Sequence, residues 1–377
     1  MSKTQRKRNK KNKKLGLILL IEILVFVALI VGFIWYYVNS KLDQVVDNNN
    51  TEEEEEIDVS DAVTEVMTDQ YKTIALFGLD TREGGDINKA GVAHSDAIII
   101  ASINNETKEV KLASVYRDCF LEIAKSGAGT QKVTHAYILG GPTCSVETLN
   151  KNLDLNITDY VSVDFAALTK AIDALGGVTI NVKEKELANL NHNIEEQVQV
   201  TGIASDGVWS AGEQLLNGTQ ATAYARIRKV GNGDFERTQR QRAVISAMVK
   251  KAKQSDLSTL NNVLDEIIPL VATNMSKSDI LSLAKNTFNY ELGDNIGFPL
   301  SNTTPNLGKQ KGSVVVPADL LSNVKHLHSF LYPEDTDYTP SEEVQRISAE
   351  ITNETGVFDM FTEDKATEEP TQTNSDN

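Results

Sequence analysis

Cysteine is nearly absent from this chain: of 377 residues, only Cys119 and Cys144 carry a thiol. Neither stands in a CxxC pair or at Cys/His metal spacing, which excludes the usual cysteine-based metal centres. Two cysteines outside the cytoplasm permit one disulfide, Cys119–Cys144, and that bridge is expected here; two buried free thiols are the other reading. Histidine is also scarce, and His94, His135, His192, His326 and His328 form no metal cluster. No GxSxG, Walker A or HExxH sequence occurs, which removes common hydrolase, nucleotide-binding and zinc-peptidase chemistries. Basic residues are concentrated at one end. Eight of the 37 lie in residues 1–14, which hold no acid, so the other 29 stand against 53 acids, a formal −24. Such a background lacks the basic face of a nucleic-acid binder, and no nucleic-acid partner is expected. Between residues 71 and 353 there is no Pro/Gly-rich break and no internal repeat, so this stretch reads as one domain.

One long apolar run is present. Residues 15–38 are nearly continuously apolar, about the length needed to cross a hydrocarbon core of roughly 30 Å. The basic tail 1–14 before it should stay cytoplasmic, and Trp35, Tyr36 and Tyr37 fall where an aromatic belt forms at the outer interface. The run is too long for a signal-peptide core, and no small-x-small cleavage site follows it. The rest of the chain is therefore expected outside the cytoplasm, in contact with a membrane it crosses once. Residues 39–70, acidic and polar, read as a stalk, and 354–377 as a disordered acidic tail.

Within 71–353 the first part alternates into strands at 72–79, 97–103 and 110–116, short and rich in β-branched residues. A five-residue polar loop at 104–108 makes the last two a hairpin. The Gly-rich connection 80–95 has no helical period, so the first pair should also be antiparallel. Helical patterns follow at 145–153, 165–175, 212–224, 234–253, 257–271, 276–290 and 341–351. Strands at 160–163, 178–182, 296–298 and 313–316 fall among them. This alternation implies an α/β domain, a three-layer α/β/α arrangement around a central mixed sheet.

Such a topology has chemical consequences. If the first strand runs up to Asp80, the second starts at Asp96 and the third climbs back to Arg117, and the three meet at one sheet edge. Asp80 and Asp96 are oxygen ligands of the kind Mg²⁺ accepts, or Mn²⁺ in its place, with phosphate oxygens completing the shell. Their ordinary reading is a turn cap and a strand end. The run YARIRKVGNGDFERTQRQR adds five arginines. In an extended segment Arg226 and Arg228 project from one side. Asp234 suits the N-cap of the following helix, and Arg237 and Arg240 lie three apart near its start. Paired guanidinium forks facing a helix N-terminus make an anion trap, and together with a metal-binding carboxylate pair they suit a pyrophosphate.

The ordered set IALFGLDTREG, HSDAIIIASIN, ASVYRD, VTHAYILGGP, YVSVDF, DALGGV, LNGTQATAYARIR and GDFERTQRQR resembles the LytR-CpsA-Psr family, over about residues 72–286. The resemblance implies a membrane-anchored phosphotransferase of the cell envelope. Such an enzyme moves an anionic glycopolymer, of teichoic acid or capsular type, from a polyprenyl-pyrophosphate carrier to peptidoglycan. It also implies that Asp80 and Asp96 bind Mg²⁺, and that Arg117, Arg226, Arg228, Arg237 and Arg240 hold the pyrophosphate with Gln241 lining the same site. The lipid tail would lie in an apolar groove. Arg117 then stabilises the reacting phosphate, and Asp96 or Asp234 takes the acceptor proton. Three positions depart from the family pattern: His94 stands where Arg is usual, Glu236 where a small residue is common, and the loop 229–233 differs in length. A lipid-pyrophosphate phosphatase and a non-catalytic glycan-binding scaffold use the same groups.

Overall fold

Three consecutive segments with apolar residues at every second position build the centre of the molecule. Preceded by a short helix, α1 (Glu65–Asp69), they are β1 (Tyr71–Asp80), β2 (His94–Asn104) and β3 (Glu109–Val115), and both neighbouring pairs run antiparallel. In β1, Ala75, Phe77 and Leu79 face one core while Ile74 and Leu76 face the other side, as a two-residue period requires. The computed structural model describes residues 57–358, apart from 82–86, 88, 92, 232–233, 268–269, 277–278, 281 and 284–287. The basic tail, the apolar run 15–38 and most of both acidic segments lie outside the described residues. No helix among the described residues is long and apolar enough to cross a membrane.

The sheet grows by crossover. β6 (Asp159–Asp164) joins β1 in parallel and β10 (Glu291–Phe298) joins β3 in parallel. β9 (Val271–Thr273) closes the far edge antiparallel to β6, giving the order β10-β3-β2-β1-β6-β9. The sheet is mixed, as expected. On one face lie α2 (His135–Leu153), α8 (Leu320–Leu331) and α9 (Glu342–Thr355), whose Leu149, Val324 and Ile347 are fully buried against Phe77 and Ile100. On the other lies α6 (Asp234–Gln254), whose Ile245 packs on Ile99 and Leu112. Between these layers in sequence come β4 (Phe120–Glu122), β5 (Thr130–Lys132), α3 (Phe165–Ala174), β7 (Val178–Val182), α4 (Leu187–Thr201), β8 (Gly212–Leu216), α5 (Gly218–Ala225) and α7 (Leu257–Ile267).

Several sequence expectations change. A helical stretch starting at His135 precedes the helix expected at 145–153; Gly140 and Gly141 interrupt it with non-helical backbone, and Pro142 restarts the helix that runs on to Leu153. Gly141 sits at φ 70, a left-handed value that a glycine adopts without strain. The helix expected over 212–224 is two elements. Residues Gly212–Leu216 pair with β7 in a separate ribbon, and Asn217 then caps α5 in a box with Gln220. The helix expected over 257–271 stops at Ile267, and Val271–Thr273 is a strand instead. Of the segment 276–290, residues 279–280 and 282–283 are helical, and several of the others lie outside the described residues.

The acidic stalk expected over 39–70 is shorter than its composition suggested. Met67 is fully buried, Ile57, Val63 and Val66 pack beside it, and the Ser60 hydroxyl donates to Asp154 at 2.6 Å. Those four apolar side chains tie residues 57–70 to the domain. At the other end, α9 continues to Thr355, with Gly356 as its left-handed cap.

The expected disulfide is absent: Cys119 and Cys144 are both free and buried. They belong to different clusters, Cys119 with Phe120 and Val314, Cys144 with Ile123 and Ala136. The Cys144 thiol points at the Ala124 carbonyl, 3.7 Å away. Burial raises both thiols above their ordinary pKa, which keeps them as unreactive SH groups.

Candidate active site

An irregularity in the sheet makes the site. Gly78 pairs with Ala97 and Leu79 with Ser95, so Asp96 has no partner on β1 and forms a bulge in β2. In a regular strand Asp96 and Ala97 would point to opposite faces; here both line the same cavity. Opposite the bulge the strands pack so closely that a Cβ on Gly78 would stand 3.0 Å from the Ala97 Cβ. Asp80, at the end of β1, and Arg117, two residues beyond β3, line this cavity too. The convergence of Asp80, Asp96 and Arg117 inferred from strand direction is what the structure contains.

Asp96 is held from two sides. Arg117 Nη1 donates to its Oδ1 at 2.5 Å. Arg237, from the first turns of α6 and almost fully buried, reaches the Asp96 carbonyl at 3.3 Å and its Oδ2 at 4.0 Å. Gln241, one helical turn after Arg237, lines the same wall, and its buried Oε1 has no hydrogen-bond partner among the described residues. Arg226 is the C-cap of α5 rather than part of an extended segment. It lies 4.7 Å over the Phe165 ring and donates to Gln197 at 3.0 Å. Arg228 remains nearly half exposed at the cavity and pairs with Asp118 at 3.0 Å.

Arg240 departs from its expected role. Its guanidinium is 4% exposed and absent from the cavity lining. It donates to Glu186 at 2.8 Å, to Glu236 at 2.7 Å, and to the carbonyls of Ile227 and Val230. Three residues turn a helix face by about 300° rather than 360°, enough here to send Arg237 to the cavity and Arg240 behind it. Glu236, the unusual acid beside the arginines, serves this buried group. Asp234 is the first residue of α6, but its side chain lies outside the described residues.

Two residues that sequence reasoning passed over belong to the site. Asp164, in the quoted YVSVDF, lines the cavity, caps α3 through Ala167 N at 2.8 Å and accepts from Thr81 at 3.1 Å. Asp118, immediately after Arg117 in ASVYRD, is 8% exposed and faces Arg117, Arg228 and Lys132. Their presence inside quoted motifs was the available signal. His135 lies beside His94, with ring centroids 5.4 Å apart; burial lowers its pKa first, then the neighbouring His94 and Lys132.

The cavity has a volume of about 540 Å³ and two unlike ends. One carries Asp80, Asp96, Asp164 and the four arginines 117, 226, 228 and 237. The other is walled by Ile99, Leu168, Val244, Ile245 and Met248. Val244, Ile245 and Met248 of α6 supply much of that wall. A larger space of about 800 Å³ between residues 58–61, β4 and α9 contains none of these groups. Among the described residues no set of three or more His, Cys, Asp or Glu is arranged to hold a metal by itself. Asp80 and Asp96 offer oxygen donors only, and so few protein ligands fit a hard divalent cation whose shell is completed by phosphate oxygens and water. Charge fits as well. Four guanidiniums face three carboxylates, and a diphosphate diester entering with one divalent cation leaves that balance unchanged.

Comparison with known proteins agrees with this geometry. A model described as the LytR_cpsA_psr family matches residues 33–297. A Bacillus mycoides protein named polyisoprenyl-teichoic acid–peptidoglycan teichoic acid transferase TagU is 33% identical over 216 residues, 57% of this chain and 64% of that relative. A protein of the same name from Oceanobacillus iheyensis is 30% identical over 297 residues, 76% of this chain and 85% of its own length. Among solved structures, a Streptococcus agalactiae protein superposes with a TM-score of 0.59 at 24% identity, covering 75% of this chain and 93% of its own.

Proposed function

Because this chain belongs to the LytR-CpsA-Psr family, we propose that it is a Mg²⁺-assisted phosphotransferase of the cell envelope. The reaction moves an anionic glycopolymer of teichoic acid or capsular type from a polyprenyl-diphosphate carrier to peptidoglycan. Its curated relatives are transferases by name, acting on polyisoprenyl-linked teichoic acid and peptidoglycan. The observation that carries the reading is the two-ended cavity. A diphosphate attached to a long hydrocarbon needs clustered cations beside a continuous apolar channel, and those are the two ends found together. The apolar run 15–38 would tether the domain to the membrane that holds such a lipid.

In this reading a sugar hydroxyl of peptidoglycan attacks the glycan-side phosphorus of the donor. A new P–O bond forms to the acceptor, the bridging P–O bond breaks, and polyprenyl phosphate leaves. Arg117, Arg226, Arg228 and Arg237 bind the diphosphate oxygens and stabilise the charge that gathers on them in the transition state. Asp96 or Asp234 takes the hydroxyl proton. Asp80 and Asp96 would hold the Mg²⁺, which supplies further neutralisation of phosphate charge when bound.

Arg237→Ala tests the reading. Incubation with a lipid-linked donor and peptidoglycan oligomers, with products weighed by mass spectrometry, should show transfer falling about 100- to 1,000-fold, as for loss of one preorganised donor. Undiminished transfer by a folded Arg237→Ala variant refutes the assignment. Release of phosphate at the same rate without peptidoglycan would make the protein a hydrolase instead.

A further inference from the structure

The four arginines of the cavity differ in what opposes their charge. Arg117 and Arg237 share Asp96, and Arg228 pairs with Asp118. Arg226 is held by a neutral group instead. Its Nη1 donates to the side-chain oxygen of Gln197 at 3.0 Å, and its guanidinium lies 4.7 Å over the Phe165 ring. Among the described residues, the one carboxylate in ion-pair range is Glu196, 3.8 Å from Nη2 and half exposed to solvent. A pair that long and that exposed contributes little. Arg226 thus keeps nearly its full charge on the cavity wall.

Gln197 stands where an apolar residue is expected. In α4 it falls on the stripe Leu190, Ile194, Gln197, whose first two members belong to the core, and it is 0% exposed. Glutamine is seldom so deeply buried, and its amide must find partners there. Its Nε2 donates to Thr169 Oγ1 at 3.4 Å, and that hydroxyl donates to the Phe165 carbonyl at 2.8 Å. The contacts close a loop, from the Phe165 ring through Arg226, Gln197 and Thr169 back to the Phe165 carbonyl. Gln197 does not line the cavity, so it reaches a ligand only through Arg226. A glutamate of the same shape would orient the guanidinium equally well and cancel its charge. The amide orients it and leaves the charge in place.

Resting on the transferase reading, we propose that Gln197 is a positioning residue for the donor diphosphate. It fixes the Arg226 guanidinium on the Phe165 ring without neutralising it, so donor affinity depends on the amide as well as on the arginine. At Arg117, Arg228 and Arg237 the diphosphate competes with Asp96 or Asp118. At Arg226 it meets a cation whose nearest acceptor carries no charge.

The test uses the full chain in detergent with Mg²⁺ and a synthetic polyprenyl-diphosphate disaccharide as donor. Binding is measured by calorimetry without acceptor, and melting temperature is followed in parallel. Gln197→Glu should weaken binding about tenfold or more, the scale of a hydrogen bond to a charged group, with no fall in melting temperature. Gln197→Met keeps the core position filled and carries the test should the buried carboxylate of Gln197→Glu prevent folding. It should weaken binding about three- to tenfold, as for one neutral hydrogen bond. In an Arg226→Ala background, Gln197→Met should change affinity by less than about twofold, because the residue it positions is gone. Donor binding within about twofold of wild type in both single variants overturns the proposal. So does a loss by Gln197→Met that is the same with and without Arg226, which would make the amide merely structural. If binding depends on Gln197 but no transfer to peptidoglycan follows, the transferase reading fails and the positioning role stands. If transfer proceeds and binding is indifferent to Gln197, the reverse holds.

Discussion

Arg240 and Glu186 offer the sharpest perturbation, because sequence placed Arg240 on the substrate and the structure places it in the framework. Their side chains are 4% and 2% exposed and meet at 2.8 Å. Removing one member of such a pair strands a charge in a low-dielectric interior, which costs about 3–5 kcal/mol. Arg240→Met also leaves two carbonyl acceptors, Ile227 and Val230, without their donor. Glu186→Gln is milder, because Glu236 still answers the guanidinium at 2.7 Å, and about 2–3 kcal/mol is expected for it. At roughly 2 °C per kcal/mol for a domain of this size, Arg240→Met should melt about 6–10 °C below the wild type. The double variant Glu186→Gln/Arg240→Met removes both charges and should recover more than half of that loss, a coupling of about 2 kcal/mol or more in a double-mutant cycle. Because Ile227 and Val230 flank Arg228, donor binding should also weaken in Arg240→Met, in step with the melting temperature. Calorimetry on the four proteins decides the matter. A melting point within about 1 °C of wild type combined with complete loss of donor binding would return Arg240 to the substrate and refute the framework role.

Two further outcomes follow from the core. His328, whose Nε2 meets the Leu153 carbonyl at 2.8 Å, is buried so deeply that its pKa is pushed down to about 4. The neutral ring is the one the fold tolerates, and the unfolded chain binds its proton first, near the ordinary value of about 6.5. Stability should therefore be fully present above that pH and fall between pH ~6.5 and ~4 by up to about 3 kcal/mol. Chemical denaturation at several pH values should show this slope, and His328→Phe should flatten it. Separately, thiol titration of the denatured, unreduced chain should find two free sulfhydryls, from Cys119 and Cys144. A result near zero would mean that the two buried clusters can approach closely enough to oxidise.

What the sequence carried by itself was local pattern and charge. Short runs rich in β-branched and apolar residues mark β1, β2 and β3, and a polar loop after β2 and a Gly-rich connection without helical period after β1 were enough to infer antiparallel neighbours. From strand direction alone Asp80, Asp96 and Arg117 could be brought to one edge. A helical pattern over 234–253 likewise marked α6. Residues 212–216 were harder: a Gln-Leu-Leu stretch between two glycines suits either state, and only the open edge of β7 decides for a strand.

Tertiary structure decided the rest, for reasons of competition between partners. An arginine at the start of a helix can serve a substrate or a buried acid, and Arg240 serves Glu186 because that acid comes from a segment 54 residues away. The same distance problem hid Asp118, whose role depends on Lys132 and Arg228 arriving from other elements. It also broke the expected disulfide, since two thiols in an even count need not share a cluster. The bulge that turns Asp96 toward the cavity depends on how β2 registers against β1, and register is a property of pairs of strands. Composition and period thus determine which elements form, whereas the choice of partner for each charge waits until the chain has brought the candidates together.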